Sequence, residues 1–126
     1  MFHLELPWPP SINHYWRHTR TGHYISRAGK AFREKVIYTC LKVPGKFSEK
    51  DRLHITIDAY PPDRRKRDLD NVLKSLLDAL QHAGVYKDDS QIDRLSISRK
   101  MPLEGKVSIE ISVIKMDTHH LQNPFA

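Results

Sequence analysis

A single apolar stripe constrains this chain more than any other feature. Leu69, Val72, Leu73, Leu76, Leu77 and Leu80 recur at three- and four-residue spacing, and the run closes at Gly84. That period lines one face of a helix, and 126 residues leave room for a single core in which to bury it. The partner face is also legible. Leu53, Ile55, Ile57 and Ala59 alternate with His54, Thr56, Asp58 and Tyr60, the period of a strand with one face buried.

The rest of the chain supplies the remaining elements. Residues 2–6 predict a short strand that stops at Pro7. Ser26 is placed to cap a second helix running to about Lys42, with Ala28, Phe32, Val36, Cys40 and Val43 as its apolar stripe and Pro44-Gly45 as its end. Residues 94–101 and 106–114 predict two strands joined around Pro102-Leu103-Glu104-Gly105 as an antiparallel hairpin. The order β-α-β-α-β-β reads as an α+β (mixed α/β) fold: one domain over residues 1–116, a mixed β-sheet and two main helices. Residues 117–126 are expected to form a flexible tail. Between Pro7 and Thr21 no period is sustained, and a loop of that length in a small domain tends to carry function.

Charge narrows the class of partner. The formal net charge is +6 and the pI about 9.5, which favours an anionic partner without naming it. Basic residues crowd the first third (Arg17, Arg20, Arg27, Lys30, Arg33, Lys35) and the tetrad Arg64-Arg65-Lys66-Arg67. Trp8, Tyr15, Trp16 and Tyr24 are interleaved with the first group. Cations that neutralise phosphates, mixed with flat rings that stack on bases, are the composition of a nucleic-acid surface. Arg17, Arg20, Lys30, Trp16 and the tetrad are therefore the DNA-binding candidates, although a solvated basic surface would look similar. No run of about 18 apolar residues exists, so no membrane helix and no membrane partner are expected. The N-terminus lacks a charged segment followed by an apolar one, so no signal peptide is expected. The single cysteine, Cys40, fits a buried thiol in a cytoplasmic protein.

The chemistry-bearing residues are carboxylates. Asp68 and Asp70 stand where the basic loop becomes the helix, followed by Asn71 and Lys74. Each has an ordinary reading: Asp68 as N-cap, Asp70 as a first-turn acid favoured by the helix dipole, and Lys74 as its surface ion-pair partner four residues on. A second acidic pair, Asp88-Asp89, follows the same helix after Gly84, where aspartate also suits a polar turn. The helix is roughly 20 Å long at 1.5 Å per residue, so the two pairs cannot meet by local geometry. A shared site requires the chain to return along the sheet, or a second subunit to supply the other half. If they converge, three carboxylates need a cation between them, and an all-oxygen set suits Mg²⁺, or Mn²⁺, rather than zinc. Such a metal would activate water and stabilise the leaving oxygen of a phosphodiester, with Lys74 stabilising transition-state charge and Asn71 supporting the ligands from behind. His14, His18 and His23 share one loop but lack the cysteine pairs or HExxH spacing of a zinc site, and His119-His120 falls in the expected tail. Neither a Gly-rich phosphate loop nor a GxSxG elbow is present.

An ordered set of motifs resembles the RusA family of Holliday-junction resolvases of bacteria, phages and prophages. It runs from about Leu6 to Met101: Leu6-Pro7-Trp8-Pro9-Pro10-Ser11 with Asn13, then Tyr60-Pro61-Pro62-Asp63, then Arg67-Asp68-Leu69-Asp70-Asn71 with Lys74, then Asp78-Ala79-Leu80, then Asp88-Asp89-Ser90-Gln91. The resemblance implies a homodimer that binds four-way DNA junctions and makes paired symmetric nicks with Mg²⁺ or Mn²⁺. By motif position it implies catalytic roles for Asp68, Asp70, Asp89 and Lys74, with Asp88 a further candidate ligand. A C₂ dimer also suits a substrate that needs two equivalent incisions. Two other readings stay open at this point: a non-catalytic structure-selective DNA-binding protein, and a metal nuclease acting on other branched DNA.

Overall fold

The computed structural model describes residues 2–43 and 47–115. Its spine is the strand pattern read above. β4 (Leu53–Tyr60) buries every second residue, and Leu53, Ile55, Ile57 and Ala59 are fully enclosed. It lies inside a four-stranded sheet with β1 (Phe2–Pro7), β5 (Ile92–Arg99) and β6 (Lys106–Val113), in the order β1-β6-β4-β5. β6 is antiparallel to both β1 and β4, whereas β5 is parallel to β4. The carboxyl ends of β1, β4 and β5 therefore share one edge of the sheet.

Two long helices cover one face. α2 (Arg27–Cys40) contributes Phe32 and Val36 to the core, and α3 (Leu69–His82) contributes Val72, Leu76, Ala79 and Leu80. Each of these side chains except that of Ala79 stabilises the fold by roughly 1.5–3 kcal/mol. Ser26 caps α2 as expected, its Oγ accepting the Gly29 N–H at 2.9 Å. Ala28 is exposed, and Gly29 takes the buried place instead. A Cβ on Gly29 would sit 2.4 Å from the Tyr15 carbonyl oxygen, so only glycine lets α2 approach the chain this closely. Cys40 is half-buried against the core rather than enclosed. The expected helix end at Pro44-Gly45 and the expected tail, residues 117–126, lie outside the described residues.

Two expectations need correction. Residues 92–99 and 106–113 run in opposite directions but do not pair as a hairpin, because β4 lies between them. Val107, Ile109 and Ile111 are fully buried, which suits an inner strand, while β5 is exposed along most of its length and takes the edge. The connection between them must therefore cross over the end of β4. The stretch from Pro7 to Thr21 is also not a plain loop. It contains α1 (Ile12–Tyr15) and β2 (Trp16–Thr19), and β2 pairs antiparallel with β3 (Gly22–Ile25).

A partly buried polar strut ties the helices together. The Tyr15 hydroxyl donates to Asp78 on α3, and Arg33 on α2 donates to the same hydroxyl at 2.7 Å and to Asp78 Oδ2 at 2.8 Å. Burial, then the Asp78 carboxylate, push the Tyr15 phenol well above its ordinary pKa. Ser75 adds a bond from its Oγ to the Pro10 carbonyl at 2.6 Å. One flank of α3 is thus pinned, and its orientation is set.

Candidate active site

The edge where β1, β4 and β5 end carries the basic loop and the first acidic pair. Asp63 organises the loop. It accepts the Arg65 backbone N–H at 3.0 Å, Arg65 Nε at 3.2 Å and Arg67 Nη2 at 2.7 Å, and Arg67 first, then Arg65, hold its carboxyl below the usual range. The Arg67 carbonyl accepts Arg99 Nη2 at 2.5 Å, which fixes the backbone one residue before Asp68. The Arg67 guanidinium also lies over the Trp8 ring, 5.9 Å from its centroid. Two of the four basic side chains are thus engaged with Asp63, while Arg64 and Lys66 have no carboxylate partner among the described residues.

The acidic residues at this end are not spent on structure. Asp68 stands at the N-cap position of α3 with extended φ and ψ, yet its side chain makes no cap hydrogen bond. Among the described residues it has no hydrogen-bond or ion-pair partner. Asp70 has one weak contact, Lys74 Nζ at 4.0 Å, with both side chains mostly exposed. The surface ion pair expected between Lys74 and Asp70 is thus present at the limit of contact, and an exposed pair at that distance stabilises little. Asn71 is half-buried and lines a cavity of about 380 Å³ with Asp68, Trp8, Ser11, Lys66 and Arg67. A larger groove of about 670 Å³ adjoins it, floored by Trp8, Pro10 and Phe32 and rimmed by Lys35, Arg65 and Lys66.

The second acidic pair lies at the other end of α3. Asp88 caps a single 3₁₀ turn (Asp89–Gln91), its Oδ1 accepting the Ser90 N–H at 2.9 Å. That bond holds its carboxyl below the usual range. Gln91 is buried and closes the capping box. Its Oε1 accepts the N–H groups of Lys87 and Asp88, and its Nε2 donates to the carbonyls of Ser48 and Asp51. Asp89 is exposed, and its N–H donates to Gln81 Oε1 at 3.1 Å. Within one chain the two acidic pairs remain apart, and among the described residues no group of three or more His, Cys, Asp and Glu could hold a metal ion.

They do share one face of the helix. Asp70 and Gln81 are eleven residues apart, close to three turns, so Asp70 and the tether of Asp89 lie on the same flank, roughly 16 Å apart along the axis. Leu73 and Leu77 fall between them, partly buried. Leu73 and Leu77 lie across the buried stripe from Ser75 and Asp78, the residues pinned by Pro10, Tyr15 and Arg33. Beside it, Leu95 pairs in register with Ile55 and so faces the helix side of the sheet, yet it is 40% exposed.

The remaining predicted contacts divide. Arg17, Arg20 and Lys30 are exposed on β2, the following turn and the first turn of α2. Trp16 is half-buried, with Tyr15 edge-on at 5.4 Å and Arg33 over its ring at 5.4 Å, so its ring is already committed to packing. Trp8, which sequence reasoning placed among the interleaved aromatics but not in the site, lines both cavities. Its signal was its position directly after β1, one residue past the sheet edge.

Comparison with known proteins agrees with the motif reading. The family model for the endodeoxyribonuclease RusA matches residues 7–112. The crossover junction endodeoxyribonuclease of Enterobacteria phage HK97 is 39% identical over 115 residues, covering 90% of this chain and 96% of that protein. The proteins of the same name from Enterobacteria phage 82 and Escherichia coli K12 are 37% and 36% identical, each over 91% of this chain and 95% of theirs. Among solved structures, the periplasmic domain of Helicobacter pylori MotB superposes with a TM-score of 0.41 at 17% identity, over 98% of this chain and 83% of that one. That likeness is too weak to bear on fold or function.

Proposed function

The chain belongs to the RusA endodeoxyribonuclease family, and from that membership we propose that it is a Mg²⁺-dependent endonuclease resolving four-way DNA junctions by paired symmetric nicks. The observation that carries this reading is the sheet edge itself. Asp68 and Asp70, free of structural duty, stand directly beside a loop whose Arg64 and Lys66 are open to phosphates.

The donor set fits a hard divalent cation in chemistry and, within one chain, only by half. Asp68 and Asp70 offer carboxylate oxygens alone, which suits Mg²⁺, with Mn²⁺ an alternative. The other half is supplied by a homodimer. If two copies pair their α3 helices antiparallel through the flank bearing Leu73 and Leu77, Asp70 of one protomer faces Gln81 and Asp89 of the partner subunit. A two-fold axis then creates two equivalent sites, as symmetric incision requires. The exposed Leu95 and the partly buried leucines support this face as the contact.

A bound cation would supply an activated water and charge neutralisation at the leaving oxygen. The protein's own groups do the rest. Arg64 and Lys66, with Arg65 and Arg67, hold the backbone beside the carboxylates, while Arg17, Arg20 and Lys30 extend the phosphate-binding surface. Lys74, one turn after Asp70, is placed to stabilise charge on the non-bridging oxygens. Asn71 lines the cavity beside Asp68, placed to support a ligand held there, and Asp88 holds the turn that presents Asp89. Among the described residues no helix is long and apolar enough to cross a membrane, and the related proteins come from phages and bacteria, which supports a cytoplasmic setting.

The test is nicking of an end-labelled synthetic four-way junction, with linear duplex as control, in Mg²⁺ and in EDTA. Symmetric metal-dependent nicks, lost in Asp70→Asn while binding persists, support the reading. Tight binding without nicks in either Mg²⁺ or Mn²⁺ returns the protein to a non-catalytic DNA-binding role.

A further inference from the structure

The connection that crosses the end of β4, residues 100–105, carries two large apolar side chains in the open. Met101 is 76% exposed and Leu103 is 65% exposed. This is not a loose tip. Lys100 N–H donates to the Ala59 carbonyl at 2.8 Å, Leu103 N–H to the Pro61 carbonyl at 2.7 Å, and Trp8 N–H to the Gly105 carbonyl at 3.0 Å. Three hydrogen bonds to the ends of β1 and β4 thus hold the crossing in place.

Leu103 is also strained. Its φ is +82°, a region that residues with a Cβ rarely adopt, and it is the one non-glycine residue at positive φ among those described. Gly105, two residues later, uses the same region at φ +66° without penalty. A glycine at 103 would therefore suit the backbone better. The leucine is kept against both backbone preference and burial, and such retained strain concentrates where a side chain has work to do.

Its surroundings identify what it meets. The tip adjoins a cavity of about 270 Å³ lined by Arg64, Arg65, Lys66, Arg99, Lys100 and Pro102 among others. Beside the tip, Asp63 and Glu104 are occupied by Arg65 and Arg67 and by Lys106, and Lys100 meets Asp58 only at 3.8 Å. An apolar point ringed by cations is a poor contact for an intact duplex, whose outer surface is phosphate and whose groove edges are polar. The apolar surface of DNA is the face of the base stack, and that face becomes accessible where helices meet and stacking breaks.

We propose that Met101 and Leu103 form a wedge that enters the branch point of the DNA and covers the unstacked face of the base pair there, while Arg64, Lys66, Arg99 and Lys100 hold the flanking phosphates. Insertion of Leu, Met or Pro between base steps is an established way for proteins to stabilise a deformed helix. The inference rests on the junction reading given above and assigns to this tip the recognition of the branch. Cations alone bind branched and linear DNA with similar strength; a wedge prefers DNA in which unstacking has already occurred.

The experiment uses the full chain, in EDTA to prevent cleavage, with a four-way junction carrying 2-aminopurine at the crossover and a linear duplex of the same sequence. For the wild type, saturating protein raises crossover fluorescence and junction is bound in preference to duplex. In Met101→Ser/Leu103→Ser the fluorescence rise is lost and the junction-to-duplex affinity ratio falls about tenfold. Duplex affinity stays within about twofold, because no cation is removed. Leu103→Gly loses much of the signal while its Tm is unchanged or raised, which separates the leucine's role from folding. Retention of both the fluorescence rise and the ratio in the double variant overturns the wedge while leaving the junction reading standing. A change in sedimentation of the double variant overturns it too, by making the tip a contact between copies. A wild-type protein without any preference for the junction overturns the junction reading, and the wedge with it.

Discussion

The two ends of α3 use aspartate in opposite ways. At the carboxyl end of the helix, Asp88 caps the turn through Ser90, and buried Gln91 bridges four backbone groups around it. At the amino end, Asp68 occupies a cap position and leaves the cap bond unmade, and Asp70 meets Lys74 only at 4.0 Å. The first arrangement stabilises the chain. The second leaves carboxylate oxygens available beside Arg64 and Lys66, at some cost in helix stability. An aspartate that is not used by its own fold is a better candidate for chemistry than one that is, and motif spacing alone does not separate the two.

Substitutions at the two ends should therefore fail differently. The largest effect is expected from Asp70→Asn, which reduces junction nicking on the order of a thousandfold with little change in Tm. A large fall in Tm for that variant would move Asp70 to the structural side of the comparison. Gln91→Ala at the opposite end is expected to cost about 2–3 kcal/mol in urea unfolding, since it strands several buried backbone groups at once. Stability close to wild type would mean that the turn is not held as described. Lys74→Ala is expected to slow nicking by about tenfold with unchanged unfolding, because its exposed pair with Asp70 contributes little to the fold. Wild-type nicking by Lys74→Ala would return the lysine to a surface ion pair.

The smallest effect is one of pH, and here the two ends converge. Ser90 holds the Asp88 carboxyl below the usual range, and Arg67 does the same for Asp63. The order each maintains is present above the unfolded carboxylate pKa, about 4, and is lost as pH falls through the lowered folded value. Amide exchange at Ser90 and Arg65, taken relative to the intrinsic rate at each pH, should stay slow at neutral pH and rise only below that point. An increase already at pH 6 would show that neither carboxylate holds its loop.

Periodic features were legible in the sequence, and neighbour relations were not. The alternation of Leu53, Ile55, Ile57 and Ala59 and the stripe through Leu76 and Leu80 specify which face of each element is buried, and those faces are buried. Alternation says nothing of which strand lies alongside. Val107, Ile109 and Ile111 read equally well as half of a hairpin or as an inner strand between β1 and β4. No period marks the β2–β3 hairpin, because nearly all its side chains face solvent. The basic loop and the acidic pairs were visible as motifs. That Asp68 makes no cap bond, that Asp89 is tethered to the flank of α3 bearing Asp70, and that Trp16 is already packed are facts of three-dimensional placement.

In the proposed dimer each site draws Asp70 from one subunit and Asp89 from its partner. This sharing is tested most directly by mixing two inactive variants, Asp70→Asn and Asp89→Asn, allowing subunits to exchange, and measuring nicks in a four-way junction. A mixed dimer with shared sites combines both substitutions in one site and leaves the other intact. Nicking activity, absent from each variant alone, is expected to return on mixing, with one strand cut per binding event. Inactivity of the mixture, with exchange verified by differently tagged subunits, would contradict that sharing and place each site within a single chain.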